Sequence, residues 1–183
     1  MQAGQDIETI DRSKARAGTT LVRDLHQRRA GAPVTTFDRH VPGPELSVVV
    51  PTPDEVQFLE DRIYEFNSAA TGITDGEWLA IFVRDETGRI VAGICGNTWG
   101  GCMEIRQFWV EEGRRKRRLG TSLLEAAEQE ARRRNCRQIV LMTFSFQAPA
   151  FYAKRGFEAV AVLGDHPHGH RNLLMRKRLD ETV

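Results

Sequence analysis

Between Cys102 and Phe144 the sequence passes from the β-rich segment CMEIRQFWV, through five consecutive basic residues (Arg114 to Arg118), into LGTSLLEAAEQEARRR and out through the apolar segment QIVLMTF. Leu119, Leu123, Leu124, Ala127 and Ala131 recur three or four residues apart, which marks one face of a helix, with Arg132, Arg133 and Arg134 near its C-terminal end, where cations are favoured. A strand, a helical crossover and a second strand in one sheet leave those strands parallel and the connection right-handed. A turn leading from a strand into a helix start also points unpaired backbone N–H groups outward, at the positive end of the helix dipole, and so suits a phosphate or pyrophosphate. Gly120 lets the backbone approach such a group closely, and the Arg and Lys side chains add charge. Taken alone, the basic run reads equally well as a solvated loop.

The rest of the chain supplies a sheet for this unit. LSVVV (46–50) is a β-rich run that predicts a first strand, and Pro53-Asp54-Glu55 suits a helix start. The helix is predicted to run to about Phe66, with Val56, Leu59, Ile63 and Phe66 as one buried stripe. WLAIFVRD and RIVAGICGNT, joined at a turn containing Gly88, and then CMEIRQFWV, predict an antiparallel meander forming strands two to four. APAFYAKRGF predicts a short helix ended by Gly156, and EAVAVLG with NLLMRKRL a last hairpin around DHPHGH. There is no internal repeat. The expected fold class is α/β (α+β): a mixed, mostly antiparallel sheet of about seven strands with the fourth and fifth parallel, flanked by about four helices.

Composition narrows the partners. Lys+Arg 26 against Asp+Glu 25 gives a net charge of +1, so the basic run is a local feature and wholesale nucleic-acid binding loses ground. The 40% hydrophobic, 28% charged composition is that of an ordinary globular protein. Cys95, Cys102 and Cys136 are odd in number and lack CxxC spacing, which fits a reducing compartment, hence an expected cytoplasmic location. No apolar run approaches the roughly 20 residues of a membrane span, so no membrane association is expected. Residues 1–45 are poor in large apolar side chains and are expected to be an extension, a flexible tail or docking arm, outside a domain at 46–183. Within it, residues 20–29 have the pattern of a short helix. Six acidic residues before Ser47 argue against an organelle transit peptide.

Three stretches resemble the GNAT superfamily of N-acetyltransferases: WVEEGRRKRRLGTSLLEAAEQEA, FSFQAPAFYAKRGF and HPHGHRNLLMRKRL. The likeness spans about Leu46 to Leu179. The first is similar to the family's Arg/Gln-x-x-Gly-x-Gly/Ala loop and following helix, with Arg115 first and Gly120 last. The family's first glycine falls on Arg118, a departure. The resemblance implies acetyl-CoA as acyl donor, lying where parallel strands four and five splay apart, and held by Phe108, Trp109, Val110, Arg115, Lys116, Arg117, Arg118, Leu119, Gly120, Thr121, Ser145, Ala148, Phe151 and Tyr152. Backbone N–H groups near Trp109 and Val110 would polarise the thioester carbonyl. Ser145 stands where relatives carry an Asn that contacts pantetheine.

The same resemblance implies catalytic roles for Tyr152, as the acid that protonates the departing CoA thiolate, and for Glu104, as the base that takes the amine proton. As plain sequence, Tyr152 and Phe151 also read as packing aromatics, and Glu104 as a surface carboxylate beside a base-free, water-only route. Tyr64, Asn67, Trp78 and His170 are the candidate acceptor contacts, with core aromatics as the alternative for the rings. His166, His168 and His170 alternate, but no Cys or acid cluster completes a site, so no metal is expected. The expected reaction is transfer to a primary amine of a small molecule by direct attack in a ternary complex, and a homodimer is a further expectation from the family. Protein lysine remains open as acceptor. Two rivals remain open: a noncatalytic acyl-CoA sensor, motivated by Arg118 and Ser145, and a nucleic-acid-binding module using Arg114–Arg118 and Arg132–Arg134.

Overall fold

The computed structural model describes residues 8–9 and 46–180. The chain divides into two compact units: one takes in the short strand β1 (Glu8–Thr9) and the chain from Ile73 onward, and the other ends at Gly72 and contains helix α1 (Pro53–Thr71). The candidate helix at 20–29 lies outside the described residues.

Helix α1 starts at Pro53, where the sequence predicts, and its first turn carries a cap that the sequence reading did not include. Thr52 forms a reciprocal capping box with Glu55, whose carboxylate accepts from Thr52 N at 2.6 Å while Glu55 N donates to Thr52 Oγ1 at 3.3 Å. It continues past Phe66 to Thr71, where Gly72 takes a left-handed conformation and its N–H donates to Ser68 O at 2.8 Å. The expected burial of its stripe does not occur. No α1 residue is buried, and Leu59, Ile63 and Phe66 are 60%, 61% and 73% exposed. Periodicity reports which side of a helix is apolar, not whether anything covers it. The predicted first strand at 46–50 is also corrected: the segment is irregular and exposed. β-propensity describes fit to a neighbouring pleated strand, and none of the described strands pairs with it.

In the other unit, β1, β2 (Glu77–Arg84), β3 (Ile90–Trp99), β4 (Cys102–Val110), β5 (Gln138–Phe144), β6 (Glu158–Gly164) and β7 (Arg171–Arg178) form one sheet in the order β1-β2-β3-β4-β5-β7-β6. The described sheet has the two-residue Glu8–Thr9 as its first strand, in place of the expected 46–50 run, and six longer strands after it. Among the described residues, three α-helices and a single 3₁₀ turn at Glu112–Arg114 stand where about four helices were expected. The β2–β3–β4 meander is antiparallel, and β4 and β5 are parallel, joined by α2 (Leu119–Arg133). Helix α3 (Pro149–Ala153) leads into the β6–β7 hairpin.

The core lies between α2 and the sheet. Of the stripe read from the sequence, Leu123, Leu124, Ala127 and Ala131 are buried and share a cluster with Val91, Ile94, Met103 and Ile139, while Leu119 is partly buried against it. Full burial of each large aliphatic side chain contributes about 1.5–3 kcal/mol. The arginines closing α2 are structural. Arg133 and Arg134 both pair with Glu130, at 2.5 and 2.7 Å, and Arg132 donates to Leu179 O at 2.7 Å. Arg134 reaches on to Trp78 O at 3.3 Å and Thr98 Oγ1 at 3.1 Å, tying the helix end to β2 and β3. This cluster is consumed by the fold and is not a free basic patch.

Candidate active site

The seam between β4 and β5 is short. Cys102, Met103, Glu104 and Ile105 pair with Gln138, Ile139, Val140 and Leu141 respectively in parallel register, and the pairing stops there. β4 nevertheless stays on β3 as far as Val110, and β5 stays on β7 as far as Phe144. The two strands therefore diverge. A bulge marks the start of the divergence: Cys95 pairs with Gln107 and Gly96 with Ile105, so Arg106 is an extra residue on β4. Glu111 N donates to Val91 O at 2.9 Å, toward β3. Strand alternation then turns the N–H groups of Gln107 and Trp109 toward β3 and those of Phe108 and Val110 into the gap. Of the two residues expected to offer an N–H to a carbonyl oxygen, Val110 faces the gap and Trp109 faces away.

Next to this gap is the start of α2. Among the described residues, no backbone or side-chain acceptor takes up the N–H groups of residues 116–121; the first N–H of this helix to be paired is that of Ser122, which donates to Arg118 O at 3.0 Å. Lys116 and Arg118 both adopt left-handed backbone conformations, φ 63° and 65°. Arg118 is the helix N-cap and supplies no side-chain cap. The glycine that the sequence pattern calls for at this position therefore has a conformational rationale, since a residue without Cβ takes positive φ at no steric cost. Arg118 adopts the same turn with strain, and its side chain is exposed.

The basic run divides by task. Arg114 pairs with Glu111 at 3.1 Å, Glu111 also pairs with Arg89 at 2.7 Å, and Arg115 Nε donates to Val110 O at 3.1 Å. Lys116, Arg117 and Arg118 are exposed and make no ion pair among the described residues. A run of unpaired N–H groups at the positive end of a 15-residue helix, with three free cations on the same turn, is a donor set that fits a pyrophosphate.

Tyr152 is the third component. It is buried on α3, its ring packed against Phe108 of β4, Phe151 and Phe157 at 6.1, 5.3 and 5.9 Å between centroids. Burial pushes its phenol up to about 12, so the group is protonated across the physiological range. No protein group among the described residues hydrogen-bonds its hydroxyl. The same ring cluster reaches the helix start: a Cβ on Gly120 would stand 3.5 Å from Phe151 and 3.6 Å from Phe108. The α2 turn, the gap-lining face of β4 and the Tyr152 side chain of α3 thus converge on one aromatic cluster.

The remaining predicted residues fall around this centre or away from it. Thr121 Oγ1 accepts from Arg155 Nη2, and Leu119 packs on the core. Ser145 Oγ accepts from Arg171 N at 3.2 Å, which ties β5 to β7 and leaves the hydroxyl proton as its outward offering. Ala148 is the N-cap of α3. Glu104 is exposed on β4, opposite Val140 in the short seam. Trp109 is half exposed, and so is Trp78, over whose ring the Arg106 guanidinium lies at 5.7 Å. His170 is exposed and meets the Phe146 ring edge-on at 4.9 Å. Tyr64 and Asn67 lie on α1, in the other compact unit. His168 pairs with Asp165 at 2.9 Å, and among the described residues no group of three or more metal-ligating side chains is present. Sequence reading missed Arg155 and the Arg106 bulge. Arg155 sits inside the quoted AKRGF, but no residue type marks a clamp, and a bulge has no composition of its own.

Residues 48–157 match the acetyltransferase (GNAT) family. The chain belongs to that family. The solved acetyltransferase from Bacillus cereus is 32% identical, with a TM-score of 0.61 over 72% of this chain and 96% of that one. An acetyltransferase from Agrobacterium tumefaciens superposes with a TM-score of 0.68 at 26% identity, over 74% of this chain and 99% of its own. The blasticidin-S acetyltransferase of Streptomyces morookaense is 32% identical over 104 residues, 56% of this chain and 76% of that relative. This acetyltransferase has both a run of unpaired N–H groups at the start of α2 and a short, splayed β4–β5 seam.

Proposed function

We propose that this GNAT acetyltransferase moves an acetyl group from acetyl-CoA to a primary amine of a small molecule, by direct attack with both substrates bound. The observation that carries the reading is the convergence of the unpaired N–H run of α2 and the unpartnered phenol of Tyr152 at the gap between β4 and β5. Bound there, acetyl-CoA supplies an activated acyl thioester. The N–H groups of residues 116–121, with Lys116, Arg117 and Arg118, hold the pyrophosphate. Phe108 and Val110 N–H face the carbonyl oxygen and stabilise the negative charge that builds on it. Tyr152 Oη donates its proton to the departing sulfur.

An alkylamine with a pKa of ~10 must lose a proton before it attacks. Glu104, exposed on β4, takes that proton through water. A covalent acyl-enzyme is disfavoured because burial raises the thiols of Cys95, Cys102 and Cys136 above their ordinary value, which keeps them as poorly nucleophilic thiols. The small-molecule acceptor is supported by the similarity to an enzyme named for blasticidin S. The test is calorimetric titration with acetyl-CoA, followed by CoA release against a panel of nucleoside antibiotics, aminoglycosides, polyamines and amino acids. Micromolar donor binding with turnover of at least one amine supports the proposal; donor binding with no turnover on the whole panel and on lysine peptides sinks it in favour of a sensor.

A further inference from the structure

Arg155 has no part in the chemistry above, yet its guanidinium is fixed from three directions. Nη1 donates to Phe151 O at 2.9 Å, Nη2 donates to Thr121 Oγ1, and the group lies over the Phe151 ring with Cζ 3.7 Å from the centroid. Its Nε is buried and has no partner. A cation with one N–H left unsatisfied is a poor way to glue two helices together, because an apolar side chain would pack there without that desolvation cost. What a planar fork supplies, and an apolar side chain does not, is a fixed angle between the groups it bridges.

The groups it bridges belong to the two halves of the site. Thr121 is in the first turn of α2, whose N–H groups face the donor, while Phe151 precedes Tyr152 on α3 with its ring 5.3 Å from the phenol ring. Holding the Phe151 carbonyl and ring together fixes the rotation of a helix only five residues long, and so fixes where its neighbour points. We propose that Arg155 is a positioning residue that sets the phenol of Tyr152 against the α2 N-terminus and acts on the chemical step through Tyr152. The inference rests on Tyr152 as proton donor. A lysine does not replace it, since one ammonium cannot serve a carbonyl and a hydroxyl on different helices while stacking on a ring.

The test is a set of kinetic cycles on the full chain, with acetyl-CoA and the amine of the panel that gives the fastest CoA release. Arg155→Met is expected to lower kcat at least tenfold with under twofold change in the amine KM, and Arg155→Lys to recover less than half of that loss. Tyr152→Phe lowers kcat by itself, and Arg155→Met added to it costs no more than a further twofold. Thr121→Val, which leaves the arginine packed and removes one acceptor, gives a smaller kcat loss that also vanishes in the Tyr152→Phe background; this pair carries the test if Arg155→Met does not fold. Losses that multiply in the double variants, or full activity in Arg155→Lys, overturn the positioning role while leaving Tyr152 in place. Unchanged kcat in Tyr152→Phe alone removes the proton-donor role, and the positioning role with it.

Discussion

The Phe108 and Phe151 rings meet edge to face, 5.9 Å apart and 67° between planes, and both border the space where a Gly120 side chain would begin. A Cβ added there makes ordinary contacts at 3.5 and 3.6 Å, directed at the rings. Gly120→Ala is therefore expected to keep acetyl-CoA affinity within threefold and to raise stability by ~0.5 kcal/mol, because alanine loses less entropy in a helix than glycine. Gly120→Leu must push Phe151 aside and with it Tyr152, so kcat falls while the fold survives. Denaturant titration and steady-state kinetics on the two variants check both halves.

Arg118 bears a left-handed strain that glycine would not. Replacing it relieves about 1–2 kcal/mol of steric cost and returns part of that as unfolded-state entropy. Arg118→Gly is expected to be more stable by about 0.5–1 kcal/mol, read as a rise in denaturant midpoint at constant slope. A drop in the midpoint would show that the arginine earns its place through a contact.

Tyr152→Phe is expected to lower kcat about 100-fold, within the range for a positioned proton donor, and to leave the melting temperature nearly unchanged because no protein partner is lost. The phenol itself is measurable. The chain has two tyrosines, so Tyr64→Phe leaves a single phenol to titrate by ultraviolet absorbance. Its folded pKa of about 12 exceeds the ordinary 10, so the linked stability is fully present below pH 10 and is lost as pH rises through about 12. A midpoint near 10 in the folded protein would contradict the buried placement.

Arg134 links α2 to β2 and β3 with its side chain 13% exposed, and Glu130 beside it is 15% exposed. Removing the cation leaves a carboxylate partly stranded, and Arg134→Met is expected to cost about 3 kcal/mol. Hydrogen bonds from Arg133 first, and then from Arg134, hold the Glu130 carboxyl down at about 2 from an ordinary 4.5. That contribution is present above pH 4.5 and is lost as pH falls through about 2, so the variant's acid denaturation begins at higher pH than the parent's. Urea and acid titrations of both proteins measure the two effects.

The elements that were legible in the sequence are those whose signal is local. The α2 stripe reads correctly because Leu123, Leu124, Ala127 and Ala131 each declare one helix face, and the start of α1 because Pro53 and the acids after it are short-range chemistry; the Thr52 cap and the true end at Gly72 were not read. The strand at 46–50 failed because β-rich residues do not carry a partner with them, and the α1 stripe because amphipathicity says nothing of cover. The site was half legible. The α2 turn and Tyr152 follow from motif, but the reason for a glycine at position 118 is a φ angle, which residue identity alone does not display. The direction of the Val110 and Trp109 amides depends on the Glu111–Val91 bond, and the Arg155 bridge on two segments 34 residues apart meeting in space.

The four-pair seam between β4 and β5 has a mechanical consequence. The sheet works like a pair of shears whose blades, β1–β4 and β5–β7, share one rivet at Cys102–Ile105 and Gln138–Leu141. Met103 and Ile139, both wholly buried, are opposite each other in that rivet. A change of side-chain volume there alters the angle between the blades, and leverage along β4 turns a small shift at Met103 into a larger one at Val110. The width of the gap is thus set at residues that do not line it.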